Sequence, residues 1–140
     1  MSDIVKVSDA VALGIHAAVM LAAWNDKPYS CKQLAEALSV SENHLSKVMQ
    51  RLSRAGIVVS RRGPRGGFVL ARPASEITFL HVFEAIEGAL TVPGCLIRQP
   101  KCNGSGCVMG DLLHEIHRQT RTYFTGTTLA RLAGVIRKKQ

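Results

Sequence analysis

Cys95, Cys102 and Cys107 fall within 13 residues of the stretch PGCLIRQPKCNGSGCVMGD, at the spacing C-x6-C-x4-C. Thiolates on a flexible loop suit an iron–sulfur cluster, whose sulfides also accept bonds from loop N–H groups. Gly94, Gly104 and Gly106 supply the flexibility, and Arg98 and Lys101 are placed to lower the thiol pKa values. The residues alone leave three other readings open: zinc with a histidine as fourth ligand, a peroxide- or disulfide-based switch, and inert loop thiols. His114 and His117 are the nearest downstream histidines and read more simply as polar surface or interface residues. Cys31 stands apart with no other ligand type beside it and reads as a small packed residue. His16 and His81 read as core or surface fillers.

A second group of residues suits an anionic partner. Lys47, Arg51, Arg54, Arg61, Arg62, Arg65 and Arg72 face one acid, Glu42, between residues 41 and 72, and carry six of the eight net positive charges of the chain. A duplex attracts such a segment through its phosphates, with release of counterions. Ser41, Asn43, His44, Ser46 and Lys47 sit at the start of an expected helix, off its apolar stripe, where a recognition helix meets base edges. Asn reads adenine and Lys reads guanine. Arg51 and Arg54, further along, are expected at phosphates. Arg61, Arg62 and Arg65 lie in a Gly/Pro-rich turn; Gly63, Gly66 and Gly67 would let its backbone approach DNA, with Arg65 entering a minor groove. The plain alternative is a solvated basic face. A membrane surface fits poorly, because no exposed Trp/Phe/Leu face accompanies the charge.

The elements that must position these groups are legible as periodicities and caps. Ser8, with Asp9 at the first helical position, can cap the run AVALGIHAAVMLAAW, which is apolar nearly all round and should be buried. Asn25 to Pro28 end it. Ser30 and Gln33 form a capping box for CKQLAEAL, with Leu34, Ala35 and Leu38 facing inward. Ser39-Val40 makes a turn, and Ser41 caps ENHLSKVMQRLSRAG, whose Leu45, Val48, Met49 and Leu52 recur at helical spacing. Gly56 stops that helix. Two short helices joined by a short turn match the helix-turn-helix pattern. Ile57 to Ser60, the turn RRGPRGG and Phe68 to Leu70 then read as a hairpin, the wing. Beyond Pro73, Thr78 can cap FLHVFEAIEG, with Phe79, Val82, Phe83 and Ile86 as its stripe. After the cysteine loop, VMGDLLHEIHRQTRTYF reads as one long helix. Its narrow stripe of Met109, Leu112, Leu113, Ile116 and Tyr123 serves either a partner chain or ordinary core. Thr127 can cap a last helix, TLARLAGVI, and the tail RKKQ should fray.

The totals agree. A chain of 140 residues, 46% apolar and 5% aromatic, makes one domain or a domain plus an extension, with an aliphatic, alanine-rich and mainly helical core. No leader-like cleavage site opens the sequence and the longest apolar run is too short to span a bilayer, so the expected location is the cytoplasm, where thiols stay reduced. An electron carrier or redox enzyme would need a second cysteine set, a Gly-rich nucleotide loop or a nucleophile–base pair, and none is present, so the chain is expected not to be an enzyme.

The segment SVSENHLSKVMQRLSRAGIVVSRRGPRGGFVLARPASEITFLHVFEAIEG, above all RRGPRGGF and ITFLHVFEAIEG, resembles the bacterial winged-helix iron–sulfur regulators, the family of the cluster regulator IscR and the nitric-oxide-sensitive repressor NsrR. The resemblance runs from KVSDAVAL to TLARLAG. It implies a mainly α fold with a small β-hairpin: a winged helix-turn-helix over residues 1–90, a cluster loop over 91–108 and a long dimerisation helix with a short C-terminal helix over 109–140. It implies a homodimer on a palindromic operator in double-stranded DNA, acting as a repressor that senses nitric oxide, redox state or iron–sulfur supply. It implies an iron–sulfur cluster, 4Fe–4S in preference to 2Fe–2S, on Cys95, Cys102 and Cys107. In that family the middle cysteine usually falls one position earlier. IscR places a histidine three residues after its last cysteine; here that position is Gly110. The nitric-oxide-sensitive members use an aspartate that matches Asp9, supplied across the dimer, although Asp9 also reads as a plain helix N-terminal charge.

Overall fold

Five hydroxyls start five helices by the same local bond, each accepting the N–H three residues on: Ser8 from Val11 (3.2 Å), Ser30 from Gln33 (3.1 Å), Ser41 from His44 (3.0 Å), Thr78 from His81 (3.3 Å) and Thr128 from Arg131 (3.2 Å). The computed structural model describes residues 7–91, 95–97, 99, 101–103, 106–109 and 111–136. Among them the order is α1 (Asp9–Ala23), α2 (Cys31–Leu38), α3 (Glu42–Arg54), β1 (Val58–Arg61), β2 (Gly67–Leu70), a 3-10 turn (Ala74–Glu76), α4 (Phe79–Glu87), α5 (Leu112–Gly126) and α6 (Leu129–Ala133). The expected class, mainly helical with one hairpin, is the observed one. The short turn after Pro73 was not anticipated.

Helix α1 is the spine. Val11, Ala17, Ala18, Val19, Met20 and Leu21 are buried on it, against α3, α4 and α6. Leu34 and Ala35 of α2, and Leu45, Val48, Met49 and Leu52 of α3, complete the helix-turn-helix side of the core. Val82, Phe83 and Ile86 of α4 close it beneath. Gly56 takes the left-handed conformation (φ 74°) just past α3, and the N–H of Ile57 bonds back to Leu52. Ile57 therefore finishes the helix cap, and the strand begins one residue later than the β-branched run suggests.

The C-terminal boundaries differ from expectation. Helix α5 begins at Leu112, not Val108: Val108 and Met109 form a turn whose Met109 N–H bonds the Cys107 sulfur (3.4 Å), and Asp111 gives the helix no side-chain cap. Thr128, not Thr127, caps α6. Thr127 is buried, and its carbonyl accepts the Phe79 N–H (2.8 Å) while Leu129 N–H bonds Ile77 (2.8 Å), pairing Thr78 with Thr128. The stripe expected on the long helix divides. Leu113 and Phe124 are buried, whereas Leu112 (46% exposed) and Tyr123 (54%) face outward. Phe124 stacks on Phe79 at 4.4 Å between ring centroids, and Leu129 is fully buried. Parts of residues 109–140, expected to serve a partner, thus also complete the core built by residues 7–90.

Candidate nucleic-acid interface and cysteine loop

The helix-turn-helix is held by local bonds. Ser30 and Gln33 make the capping box of α2 (2.9 and 3.1 Å), and Ser39 turns the chain in the left-handed conformation (φ 57°). Burial of the Leu45, Val48, Met49 and Leu52 face leaves Asn43, His44 and Lys47 exposed and Ser46 half-buried on the first half of α3. Ser41 spends its oxygen on the His44 N–H, so its first role is the cap. Among the described residues, Lys47, Arg54, Arg61, Arg62 and Arg65 form no ion pair; the pair that forms, Arg118 with Glu115, is on α5. The positive field of residues 41–72 is therefore uncompensated and faces water.

In the wing, β1 and β2 pair antiparallel with Val58 opposite Leu70 and Arg61 opposite Gly67, and Arg62 to Gly66 form the tip. The sequence left one partner of the wing unseen. Tyr29, buried before α2, exchanges backbone bonds with Phe68 (3.2 and 2.7 Å) and donates its hydroxyl to Asp26 (2.7 Å). That bond, with burial, pushes the Tyr29 phenol up from its ordinary value. Two of the wing glycines are required by local packing. A side chain at Gly67 (φ 155°) would strike the Tyr29 backbone, and one at Gly66 the Arg61 carbonyl. Arg65 lines a cleft of about 600 Å³ with Lys27, Ser30 and Gln33, between the tip and the start of α2. Arg61 lines a separate cleft of about 340 Å³ behind the wing, with Lys27 and Arg72.

Arg51, expected at phosphate, is exposed and also has a partner within the chain. Its Nη1 donates to the Ile86 carbonyl in the last turn of α4 (3.0 Å). His81 is not a filler: its Nδ1 accepts the Thr78 N–H (3.0 Å) and completes the α4 capping box. His16 is exposed, with its ring against the Ala12 carbonyl (2.6 Å).

All four cysteines are free thiols. Cys95 and Cys107 are half-buried and Cys102 is exposed, in the linker between α4 and α5. Among the described residues no three His, Cys, Asp or Glu side chains stand close enough to hold a metal ion, so the single chain does not gather Cys95, Cys102, Cys107 and Asp9. Asp9 is exposed on the first turn of α1, beside Ser8, whose hydroxyl donates to the Glu87 carboxylate. Gly94, Arg98, Gly104 and Gly110, invoked above for loop flexibility, thiol pKa and the missing histidine, lie outside the described residues. Cys31 packs as expected, half-buried with its Sγ on the Glu42 carbonyl (3.5 Å); burial first, then the Glu42 charge, pushes its thiol pKa up.

A family model described as Rrf2, an iron-dependent transcriptional regulator, matches residues 7–134. The chain belongs to the Rrf2 family. A candidate HTH-type transcriptional regulator of Aquifex aeolicus (strain VF5) is 31% identical over 134 residues, 94% of this chain and 93% of that one. Among solved structures, CymR, the global cysteine regulator of B. subtilis, superposes with a TM-score of 0.82 at 26% identity, covering 95% of this chain and 99% of its own. T. potens IscR gives 0.75 at 26%, covering 97% and 93%. As an Rrf2 protein the chain is a helix-turn-helix transcriptional regulator that binds DNA, and not an enzyme. No helix among the described residues of this Rrf2 protein is long and apolar enough to cross a membrane.

Proposed function

We propose that this Rrf2 protein is a dimeric repressor of a palindromic operator, controlled by an iron–sulfur cluster on Cys95, Cys102 and Cys107. The observation that carries the reading is placement: three free thiols occupy the linker between the helix that closes the reading head and the helix that presents an apolar outward face. The donor set is soft and free of disulfides, as a cluster requires. A bound cluster supplies a redox- and nitric-oxide-reactive centre. Cys95, Cys102 and Cys107 would hold it, with Asp9 of a second copy as the fourth ligand that the family resemblance implies. A carboxylate ligand at Asp9 would be more labile than the three thiolates and would supply the site of reaction with small oxidants. Ser41, Asn43, His44, Ser46 and Lys47 read base edges. Arg51, Arg61, Arg62 and Arg65 take phosphates or the minor groove. A change of about 3 kcal/mol in coupling between loop and DNA gives a ~150-fold change in affinity.

One observation supports a second reading. Among the described residues the three loop thiols are not gathered into one metal site, and CymR, the global cysteine regulator of B. subtilis, has this fold. Here two loop thiols pass two electrons and two protons to a peroxide or disulfide and form a disulfide, or the thiols bind zinc. Anaerobic reconstitution with iron and sulfide separates the readings. Visible absorption with iron and sulfide bound per chain, lost in the Cys102→Ala variant, supports the cluster. A colourless chain with bound zinc, or with a loop disulfide after oxidation, sinks it in favour of the second.

A further inference from the structure

The exit of α4, residues 86–90, is gripped from three sides. Arg51 of α3 donates to the Ile86 carbonyl (3.0 Å), Arg121 of α5 donates to the Leu90 carbonyl (2.9 Å), and Ser8 at the start of α1 donates to the Glu87 carboxylate. Ile86 and Leu90 are themselves buried, and α1 passes so close that a side chain at Gly14 would strike the Ile86 δ-methyl. These bonds link elements far apart in sequence: 35 residues separate Arg51 from Ile86 and 31 separate Arg121 from Leu90. Both arginine bonds are charge-assisted, and the carbonyls at 86–90 lie at the negative end of the α4 dipole.

The far end of α5 is fixed. Thr78 pairs with Thr128 and Phe79 stacks on Phe124 at this elbow, whereas at the near end of α5 the buried residue is Leu113. That near end receives the cysteine loop. Leu90 lies where that loop leaves α4, and the one side-chain bond from α5 to this exit among the described residues is that of Arg121. We infer that Arg121 and Arg51 are paired positioning residues that carry a change in the cysteine loop to the recognition helix. A tightening of the loop moves α5 about its elbow. Arg121 transfers the movement to Leu90, and Arg51 transfers it from Ile86 to α3. This inference rests on the proposal that the loop governs DNA affinity. It adds the residues through which it does so.

The test uses the full chain and a duplex selected from a random library. The dissociation constant is measured for the reduced, metal-free chain, then after reconstitution with iron and sulfide, and separately after diamide oxidation. Amide exchange of residues 51–57 is followed in parallel. Parent chain should show at least a tenfold change with one treatment, together with altered exchange at the end of α3. Arg121→Met should bind the duplex in the reduced state within about twofold of parent, yet show under a threefold response and no exchange change in α3. Arg121→Lys, which keeps one donor, should recover part of the response. An Arg121→Met protein that melts with the parent and keeps the full response overturns the inference; should that variant not fold, Arg121→Gln is judged by the same criterion. A parent that responds to neither treatment instead overturns the sensing proposal, and this inference with it.

Discussion

Single residues separate the thiols by environment. Cys31 is half-buried against Glu42 and its pKa is raised, so its thiolate fraction is depressed at any pH below that raised value. Iodoacetamide at pH 7.5 should therefore label exposed Cys102 well before Cys31, by peptide mass spectrometry of the reduced chain; equal rates would contradict the burial described. On the DNA side the exposed cations divide by role. Lys47→Ala should cost about 1–3 kcal/mol and relax base preference at one position, while Arg65→Ala should weaken all duplexes alike and lower the salt slope by about 1. If neither affinity nor salt slope moves, the winged helix serves protein contacts. The residues that sequence could place are those whose partners are close in sequence. Ser30 with Gln33, and Ser41 with the N–H of His44, need only an i to i+3 bond. Arg51 could not be placed that way, because its partner, Ile86, belongs to another helix and offers a backbone carbonyl that no side-chain pattern reveals.

At the scale of elements, the wing depends on a neighbour outside it. Gly67, at φ 155° against the Tyr29 backbone, tolerates no side chain. Gly67→Ala should destabilise by about 1–3 kcal/mol from backbone strain alone, with the clash added. A thermal melt lowered by several degrees, with DNA affinity reduced by loss of the ordered wing, is the expected result. Helix α5 has a local support that titrates. Its Glu115 carboxyl accepts from Arg118 and Gln119, which hold its pKa at about 2 against an ordinary 4.5. A carboxyl depressed in the folded state contributes above its unfolded value and loses that contribution as pH falls through the folded one. The pair is exposed, so salt screens it and the gain is small. An NMR titration should find Glu115 near 2, and Arg118→Ala should return it toward 4.5. Periodicity made α3 legible because one face is wholly buried. It misjudged α5, whose apolar residues serve two directions, Leu113 and Phe124 inward and Leu112 and Tyr123 outward. The Thr127–Thr128 ambiguity is of the same kind: adjacent hydroxyls cap equally well by sequence, and only the backbone pairing of Thr78 with Thr128 decides between them.

For the whole molecule, the outward row on α5 is the proposed seat of a second copy. Leu112 and Tyr123 lie three turns apart on one face, with half-buried Ile116 between them. A two-fold pairing there would set the spacing of two α3 helices on an operator. Leu112→Asp should convert the dimer to monomer by sedimentation and weaken operator binding far more than any single phosphate contact. Unchanged mass would move the interface elsewhere. The same helix begins where the cysteine loop ends, so the proposed assembly and the proposed sensor share one element.

The return of α6 to α1 governs how the chain can be made. Helix α1 is made more than 100 residues before one of its covers, α6, against which it buries part of its face; Leu129 of α6 is fully enclosed. The reading head therefore cannot finish folding before α6 has been made, whatever the order of its local turns. Until residue 132 has emerged, the part of α1 that α6 covers stays exposed, and a nascent chain stalled within α5 should present it to chaperones or proteases.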